Sequence, residues 1–201
     1  MKFWRFLLNL FHPIFIPAYY LLILFAQENL FSYASIRIFL ALFLFSMVLF
    51  PLLIALFFKK LGILSSVLNP KRQERNYLLL IMNVFYVLNG FLWIRQYSDH
   101  IFLFFLLVLM VSMLLIYLIS LFYDLDVHTF SFGALFGYYL VLSVMVLSRY
   151  SVAILIGIIL MSGLIGVAQL QITERKPRDI YIGFALGLVT VLALASYYLF
   201  L

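Results

Sequence analysis

The fold of this chain is decided by residues 101–123, which read IFLFFLLVLMVSMLLIYLISLFY and contain no charged side chain. A helix that crosses the hydrocarbon core of a bilayer needs about 20 apolar residues, and this run supplies them. Its apolar residues are continuous and do not alternate with polar ones, which excludes a strand of a membrane β-barrel. The run therefore predicts a transmembrane helix.

Similar apolar runs fill most of the remaining sequence. They lie at residues 38–58, 77–94, 127–148, 151–170 and 180–201. A further run at residues 12–26 is shorter, and its two prolines lie near its start, where a missing backbone N–H costs little. Residues 2–6 combine cations with aromatic rings, as is typical of an interfacial segment. We expect an all-α fold, a polytopic membrane helix bundle with six to seven transmembrane helices in a single domain over residues 1–201.

Composition excludes several other classes of protein. The 201 residues include 13 Lys and Arg, 7 Asp and Glu, and 68% apolar types, whereas soluble domains are about 45–50% apolar and about 25% charged. A soluble globular domain and a disordered chain are both excluded. The chain has no cysteine, and its three histidines share no ligand spacing, so we expect no metal and no cofactor. These features are compatible with a bacterial inner membrane.

The first residues could also be a cleaved signal peptide. No small-x-small cleavage site follows the apolar run at 12–26, so we expect this segment to be retained.

Small residues four apart at 133–137 and 183–187 predict close helix packing. Asn83 and Asn89 predict hydrogen bonds between helices.

The polar residues cluster in three segments that a seven-span topology places on one membrane face. These segments are residues 71–76, 124–129 and 169–179. Each lies at or just before the start of a span, where backbone N–H groups and the helix dipole favour an anion. We therefore predict a site for a phosphate or lipid headgroup. Its expected binding residues are Lys71, Arg72, Arg75, Arg175 and Lys176.

The same cations could instead anchor the chain to an anionic bilayer surface. Ten Lys and Arg lie on this face against three on the other, which favours a cytoplasmic location for it. If the six Lys and Arg of residues 71–75 and 175–178 serve an anion site, they do not report topology. Four Lys and Arg then remain on this face against three on the other, and the orientation of the chain in the membrane stays open. Because the charges lie in short membrane loops, we expect no nucleic-acid partner.

Arg75, His128 and Asp179 fit the motifs of one enzyme family. Arg75 fits an arginine that in the family follows a lysine by seven residues, and Asp179 follows the position of the family's nucleophilic histidine by four residues. His128 fits the histidine of the family's Pro-Ser-Gly-His motif, although Leu125, Asp126 and Val127 replace its first three residues. Residues 69–190 thus resemble the type 2 phosphatidic acid phosphatase superfamily, membrane enzymes that dephosphorylate lipid phosphates and pyrophosphates. The resemblance implies a phosphorylated lipid substrate, with His128 and Asp179 as catalytic residues and the cations as phosphate ligands.

The chain departs from the family pattern at the nucleophile. Arg175 stands where the family has the histidine that becomes phosphorylated, Gln169 replaces an arginine, and Leu68 replaces the lysine. Arginine stays protonated and has no free lone pair with which to attack phosphorus. We therefore expect a lipid-phosphatase-like pseudoenzyme that binds membrane lipids through an anionic headgroup.

The individual polar residues also have structural interpretations. His128 could be an interfacial histidine satisfied by Asp124 or Asp126, and Asp126 could cap the following helix. Asp179 could form an ion pair with Arg175, four residues earlier.

Three functions stay open. The first is the pseudoenzyme, acting alone, as a homo-oligomer or as the partner of another membrane protein. The second is an active lipid (pyro)phosphate phosphatase that uses His128 with an arginine-rich phosphate clamp. The third is a small transporter or complex subunit, although no span carries a charge near its middle, where ion pathways usually have one.

Overall fold

The computed structural model describes residues 1–28, 41–67, 70–96, 100–145, 151–173 and 175–199. These ranges are helical and contain no strand. In chain order, the helices are α1 (Lys2–Leu10), α2 (Ile16–Glu28), α3 (Ala41–Lys60), α4 (Arg72–Gln96), α5 (His100–Phe122), α6 (Val127–Met145), α7 (Ser151–Ile172) and α8 (Pro177–Leu199). Within α3, a π-helical turn at Phe45–Leu49 ends two residues before Pro51, which has no N–H to donate.

Seven segments of the described chain are long and apolar enough to cross a bilayer. The first of them, Lys2–Ile23, combines α1 with most of α2. The predicted all-α membrane bundle is therefore confirmed, at the upper end of the expected number of spans. The predicted span ends at 38–40, 146–148 and 200–201 lie outside the described residues.

Two helices begin earlier than their apolar runs predict. α4 begins at Arg72 instead of residue 77, and α8 begins at Pro177 instead of residue 180. In both cases the first helical turn contains two or more charged residues, which belong at the membrane interface and carry no hydropathy signal. The charged side chains of these turns are therefore held on helices and not on loops.

The N-terminal span is interrupted at His12. The backbone of His12 is extended (φ −63°, ψ 140°), as steric contact with the following proline favours. A 3₁₀ turn at Pro13–Phe15 then leads into α2, and His12 Nδ1 accepts a hydrogen bond from the N–H of Ile14 at 3.3 Å. Before this break, α1 buries Leu7 and Leu8 and exposes Phe3 and Phe6. α1 packs against α7 as a separate amphipathic helix.

α6 is the central helix of the bundle and contacts α2, α5, α7 and α8. Its closest neighbour is α8. A Cβ atom at Gly133 would lie 2.0 Å from the carbonyl oxygen of Phe184, and one at Gly187 would lie 2.0 Å from that of Phe130. The two helices therefore touch through their backbones, as the small residues at 133–137 and 183–187 predict.

α4 packs against α5 on the other side of the bundle. The side-chain amide of Asn83 donates to the carbonyl of Met113 on α5 at 2.9 Å, which confirms the predicted bond between helices. Asn89 instead donates to Phe85 of its own helix.

Candidate phosphate-binding site

A cavity of about 540 Å³ lies at the end of the bundle where α4, α6 and α8 begin. Each of these helices contributes side chains from its first turn. The charged lining residues of the described chain are Arg72, Arg75, Arg175, Lys176 and Arg178, together with Asp124, Asp126 and Asp179. Five cationic groups thus face three carboxylates. Such a site carries an excess of positive charge and is suited to an anionic ligand.

Two arginines from distant parts of the chain meet on Asp124. Arg75, on the first turn of α4, donates from Nη2 to Asp124 Oδ1. Arg175, just before α8, donates from Nη2 to the same oxygen at 3.4 Å and from Nη1 to the Asp124 backbone carbonyl at 2.8 Å. Asp124 lies in the short connection between α5 and α6. The three polar segments are therefore joined at this point.

Asp126 is buried beneath this pair of arginines. Its Oδ2 accepts from the N–H of Thr129 at 3.1 Å, so it caps α6, as one of the two sequence interpretations predicts. Its Oδ1 lies 3.7 Å from Arg175 Nε and 3.9 Å from His128 Nδ1. Asp126 therefore links the helix start, the arginine and the histidine.

The environment shifts the pKa values of the two aspartates in opposite directions. Burial alone would raise the pKa of the Asp124 carboxyl, but the hydrogen bond from Arg75 and the charge of Arg175 outweigh it, so that the pKa lies below its usual value. Burial raises the pKa of the Asp126 carboxyl, and the charge of Arg175 offsets this only in part. Asp124 is therefore the more firmly ionised of the two.

Two histidines lie side by side in the cavity. His128 is on the first turn of α6, and its Nε2 is buried with no hydrogen-bond partner among the described residues. The ring of His12 contacts it edge to face, with ring centroids 5.4 Å apart. The apolar run at residues 12–26 predicts His12 inside the first span, and His12 is not among the predicted site residues. The His12-Pro13 dipeptide, which disfavours helix, is the signal that could have found it.

Asp179 has a different partner from the one predicted. It accepts a hydrogen bond from the hydroxyl of Tyr123, and Arg178 Nε lies 3.9 Å from its Oδ1. The predicted ion pair with Arg175 is wrong: Arg175 binds Asp124 and Asp126 instead. The reason is that α8 begins at Pro177, so that Arg175 lies before the helix and four-residue helical spacing does not apply.

Six of the seven predicted site residues line the cavity. They are Arg72, Arg75, His128, Arg175, Lys176 and Asp179. Lys71 does not line it; this residue is exposed, and its backbone N–H donates to Glu74. Among the charged, histidine and tyrosine residues that line the cavity, the prediction did not name His12, Tyr123, Asp124, Asp126 and Arg178 as site residues. Asp124 lies in the polar segment at residues 124–129, but its position in the sequence does not indicate that it binds two arginines.

No protein-family model, curated protein or solved structure matches this chain. The kind of ligand that the cavity could bind is therefore inferred from its own side chains and helix ends. Within the described ranges, no three His, Asp or Glu side chains are grouped as ligands for a metal ion. The site instead combines forked arginine donors, helix N-termini and histidines, which are groups that bind phosphate oxygens.

Proposed function

We propose that this protein binds the phosphate headgroup of an anionic membrane lipid in the cavity at the starts of α4, α6 and α8. The observation that carries the proposal is the convergence of Arg75 and Arg175 at this cavity. Guanidinium groups bind phosphate and carboxylate oxygens with the same forked geometry. The first turns of three helices add backbone dipoles that favour negative charge.

The shape of the lining supports a lipid as the ligand. Below the charged groups, the cavity is lined by Leu78, Leu79 and Met82 of α4 and Met113 of α5. A ligand with a phosphate at one end and a hydrocarbon part at the other matches this division. The charged lining belongs to one end of the bundle, which supports a pocket and does not favour the path of a transporter.

A site that binds lipid but has lost catalytic activity is a simpler proposal than an active enzyme. Arg175 stands where the resembling family has its nucleophile, and its guanidinium is held by Asp124 and Asp126. A protonated guanidinium cannot form a covalent phosphoryl intermediate. On this proposal, the molecule is a divergent relative of the type 2 phosphatidic acid phosphatases, located in a bacterial inner membrane, which binds lipid alone or with a membrane partner.

An active lipid phosphatase is the second candidate function, and it is favoured by His128. The Nδ1 of this histidine lies 3.9 Å from the buried carboxylate of Asp126, and its ring contacts the ring of His12. A histidine in such a setting can act as general base toward water, while arginines stabilise the charge on phosphorus.

The two functions are separated by measuring binding and phosphate release on the same samples. The full chain, in lipid nanodiscs, is tested with phosphatidate, phosphatidylglycerol phosphate and undecaprenyl pyrophosphate. We expect binding that Arg75→Gln weakens about tenfold or more, since a hydrogen bond to a charged group contributes about 1.5–3 kcal/mol. Arg95→Gln is the matched control, because Arg95 is on the same helix and lies over the ring of Phe91, away from the cavity.

The outcomes assign the function. Binding without phosphate release supports the pseudoenzyme. Phosphate release that His128→Ala abolishes establishes the enzyme instead. If Arg75→Gln and Arg95→Gln bind lipid equally well, the cavity is not the headgroup site.

A further inference from the structure

Tyr123 places a hydroxyl group beside a carboxylate in the cavity. This half-buried tyrosine directly follows α5 and lines the cavity. Its hydroxyl donates a hydrogen bond to Asp179, on the first turn of α8. An oxygen nucleophile with a base in hydrogen-bond contact is the arrangement on which covalent catalysis depends. Neither lipid binding nor the action of His128 as a base makes use of this pair.

Arginines lie next to this pair. The Nε of Arg178 is 3.9 Å from Asp179 Oδ1. The residue that follows Tyr123 in the chain binds both Arg75 and Arg175. Guanidinium groups bind phosphate oxygens and stabilise the charge of a phosphoryl group in transfer. A phosphate held by these arginines would therefore share the cavity with the Tyr123 hydroxyl.

Tyr123 has the lone pairs that Arg175 lacks. A guanidinium stays protonated and cannot attack phosphorus, whereas a phenolic oxygen is both a donor and an acceptor. The hydrogen bond to Asp179 uses the proton of the hydroxyl and leaves the lone pairs of its oxygen available. As the oxygen attacks, the carboxylate takes up the proton, so that a free phenolate is never required.

We infer that Tyr123 is a phosphoryl acceptor, with Asp179 as its general base, and that the donor is a phosphoanhydride. The inference rests on the proposed headgroup site and goes beyond it, since it assigns a covalent step there. The Tyr123 oxygen forms a bond to the terminal phosphorus, and the bond from that phosphorus to the bridging oxygen breaks. The rest of the donor leaves as a phosphate with the bonding electrons. The hydroxyl proton passes to Asp179 and from there to the departing phosphate.

The leaving group explains why the donor is an anhydride. Attack on a phosphomonoester would expel an alkoxide, and the pair of Tyr123 and Asp179 supplies a base but no second acid to protonate it. Attack on an anhydride expels a phosphate, which is stable as an anion near neutral pH because its second pKa is about 6. Arg72 and Lys176, which also line the cavity, add positive charge for that anion.

The phosphotyrosine is expected to persist. In-line hydrolysis requires a water on the side of phosphorus opposite the tyrosine oxygen. Asp179 contacts the tyrosine oxygen itself and is therefore on the wrong side to activate that water. One transfer is then followed by no release of inorganic phosphate, which agrees with a site that binds lipid without phosphatase turnover.

The inference is tested by acid-quenching the full chain, in lipid nanodiscs, after incubation with undecaprenyl pyrophosphate radiolabelled in its terminal phosphate. We expect a covalent label that survives acid, as phosphotyrosine does and phosphohistidine does not. Mass spectrometry of the wild-type chain should locate the label on Tyr123. Radiolabelled phosphatidate, a monoester, should give no label. Labelling by the lipid alone identifies a membrane donor, and equal labelling by inorganic pyrophosphate identifies a soluble anhydride.

Asp179→Asn separates the chemistry from the structure. Its amide oxygen still accepts the hydrogen bond of Tyr123 but is not a base, so labelling should slow about a hundredfold while lipid binding is retained. Tyr123→Phe should give no label. Tyr117→Phe is the matched control, because Tyr117 is on α5 but does not line the cavity, and it should be labelled like wild type. Thermal unfolding reports separately whether each variant is folded.

The other outcomes count against the inference. If the chain binds the lipid, and Arg75→Gln weakens this binding, but no acid-stable label forms on Tyr123, the inference is overturned and the proposed function stands. An acid-labile label on His128 overturns it in favour of a histidine enzyme. A folded Tyr123→Phe variant that is labelled like wild type also overturns it. If the lipid is neither bound nor cleaved, the inference and the proposed function are both overturned.

Discussion

The imidazole rings of His12 and His128 lie edge to face, with their planes at 88°. The contact joins the break between α1 and α2 to the first turn of α6. It makes the N-terminal segment a wall of the cavity, although this segment is remote in sequence from the other lining residues. Substitutions near the N-terminus are therefore expected to affect the site.

His12→Ala is expected to lower the free energy of unfolding by about 1 kcal/mol, the usual effect of removing a side-chain helix cap. The affected bond is the one that His12 Nδ1 accepts from the Ile14 N–H. His12→Asn restores an acceptor and should recover part of the loss. Denaturant unfolding in detergent measures the difference, with His100→Ala as the control. Wild-type stability of His12→Ala would contradict the capping role.

Tyr123→Phe is expected to destabilise the protein by about 2 kcal/mol, because it removes a hydrogen bond to a carboxylate. The hydroxyl of Tyr123 donates to Asp179 and so joins the end of α5 to the start of α8. Tyr181→Phe is the control, since Tyr181 is exposed on the same helix as Asp179. Equal melting temperatures for the two variants would show that the bond contributes nothing.

Gly133→Ala is expected to cost about 1–3 kcal/mol, the range for overpacking a close contact. The added methyl group would meet the backbone of Phe184, which cannot move aside as a side chain would. Gly157→Ala is the matched control, because a Cβ there meets no atom within 4 Å. Unfolding in mixed micelles compares the two. A loss of stability as large in Gly157→Ala would point to a general effect of glycine replacement.

Acid is expected to destabilise the protein through Asp124. The pKa of this carboxyl is lower in the folded chain than in the unfolded one, so ionised Asp124 stabilises the fold above its unfolded value of about 4. This contribution is lost as the pH falls through the folded pKa. Melting temperatures from neutral to acid pH should therefore fall less steeply for Asp124→Asn than for wild type. Parallel curves would mean that Asp124 has no shifted pKa.

Most of the fold could be predicted from the sequence because each span is a local property. The run at 101–123 is long enough and apolar enough to cross a bilayer whatever surrounds it. The starts of α4 and α8 were misplaced because their first turns are polar. Hydropathy identifies the buried part of a membrane helix and does not detect the part at the interface.

The convergence of the three polar segments on one cavity could be predicted, but most of the bonds within the cavity could not. Alternating spans place three polar segments on one face, and the cavity brings them together. The partner of Arg175 depends on where α8 begins, and His12 enters the site because Pro13 follows it. The partner of Arg175 and the position of His12 both depend on backbone geometry at the end of a helix, which the pattern of apolar residues does not reveal.

The contact between Gly133 and Phe184 has a mechanical consequence. Because α6 and α8 touch through main-chain atoms, no side-chain rearrangement can change the separation of these helices. The first turns of α6 and α8, which hold His128 and Asp179, therefore behave as one rigid unit. Any widening of the cavity to admit a ligand is therefore expected on the side of α4, which reaches the connection at Asp124 through the side chain of Arg75.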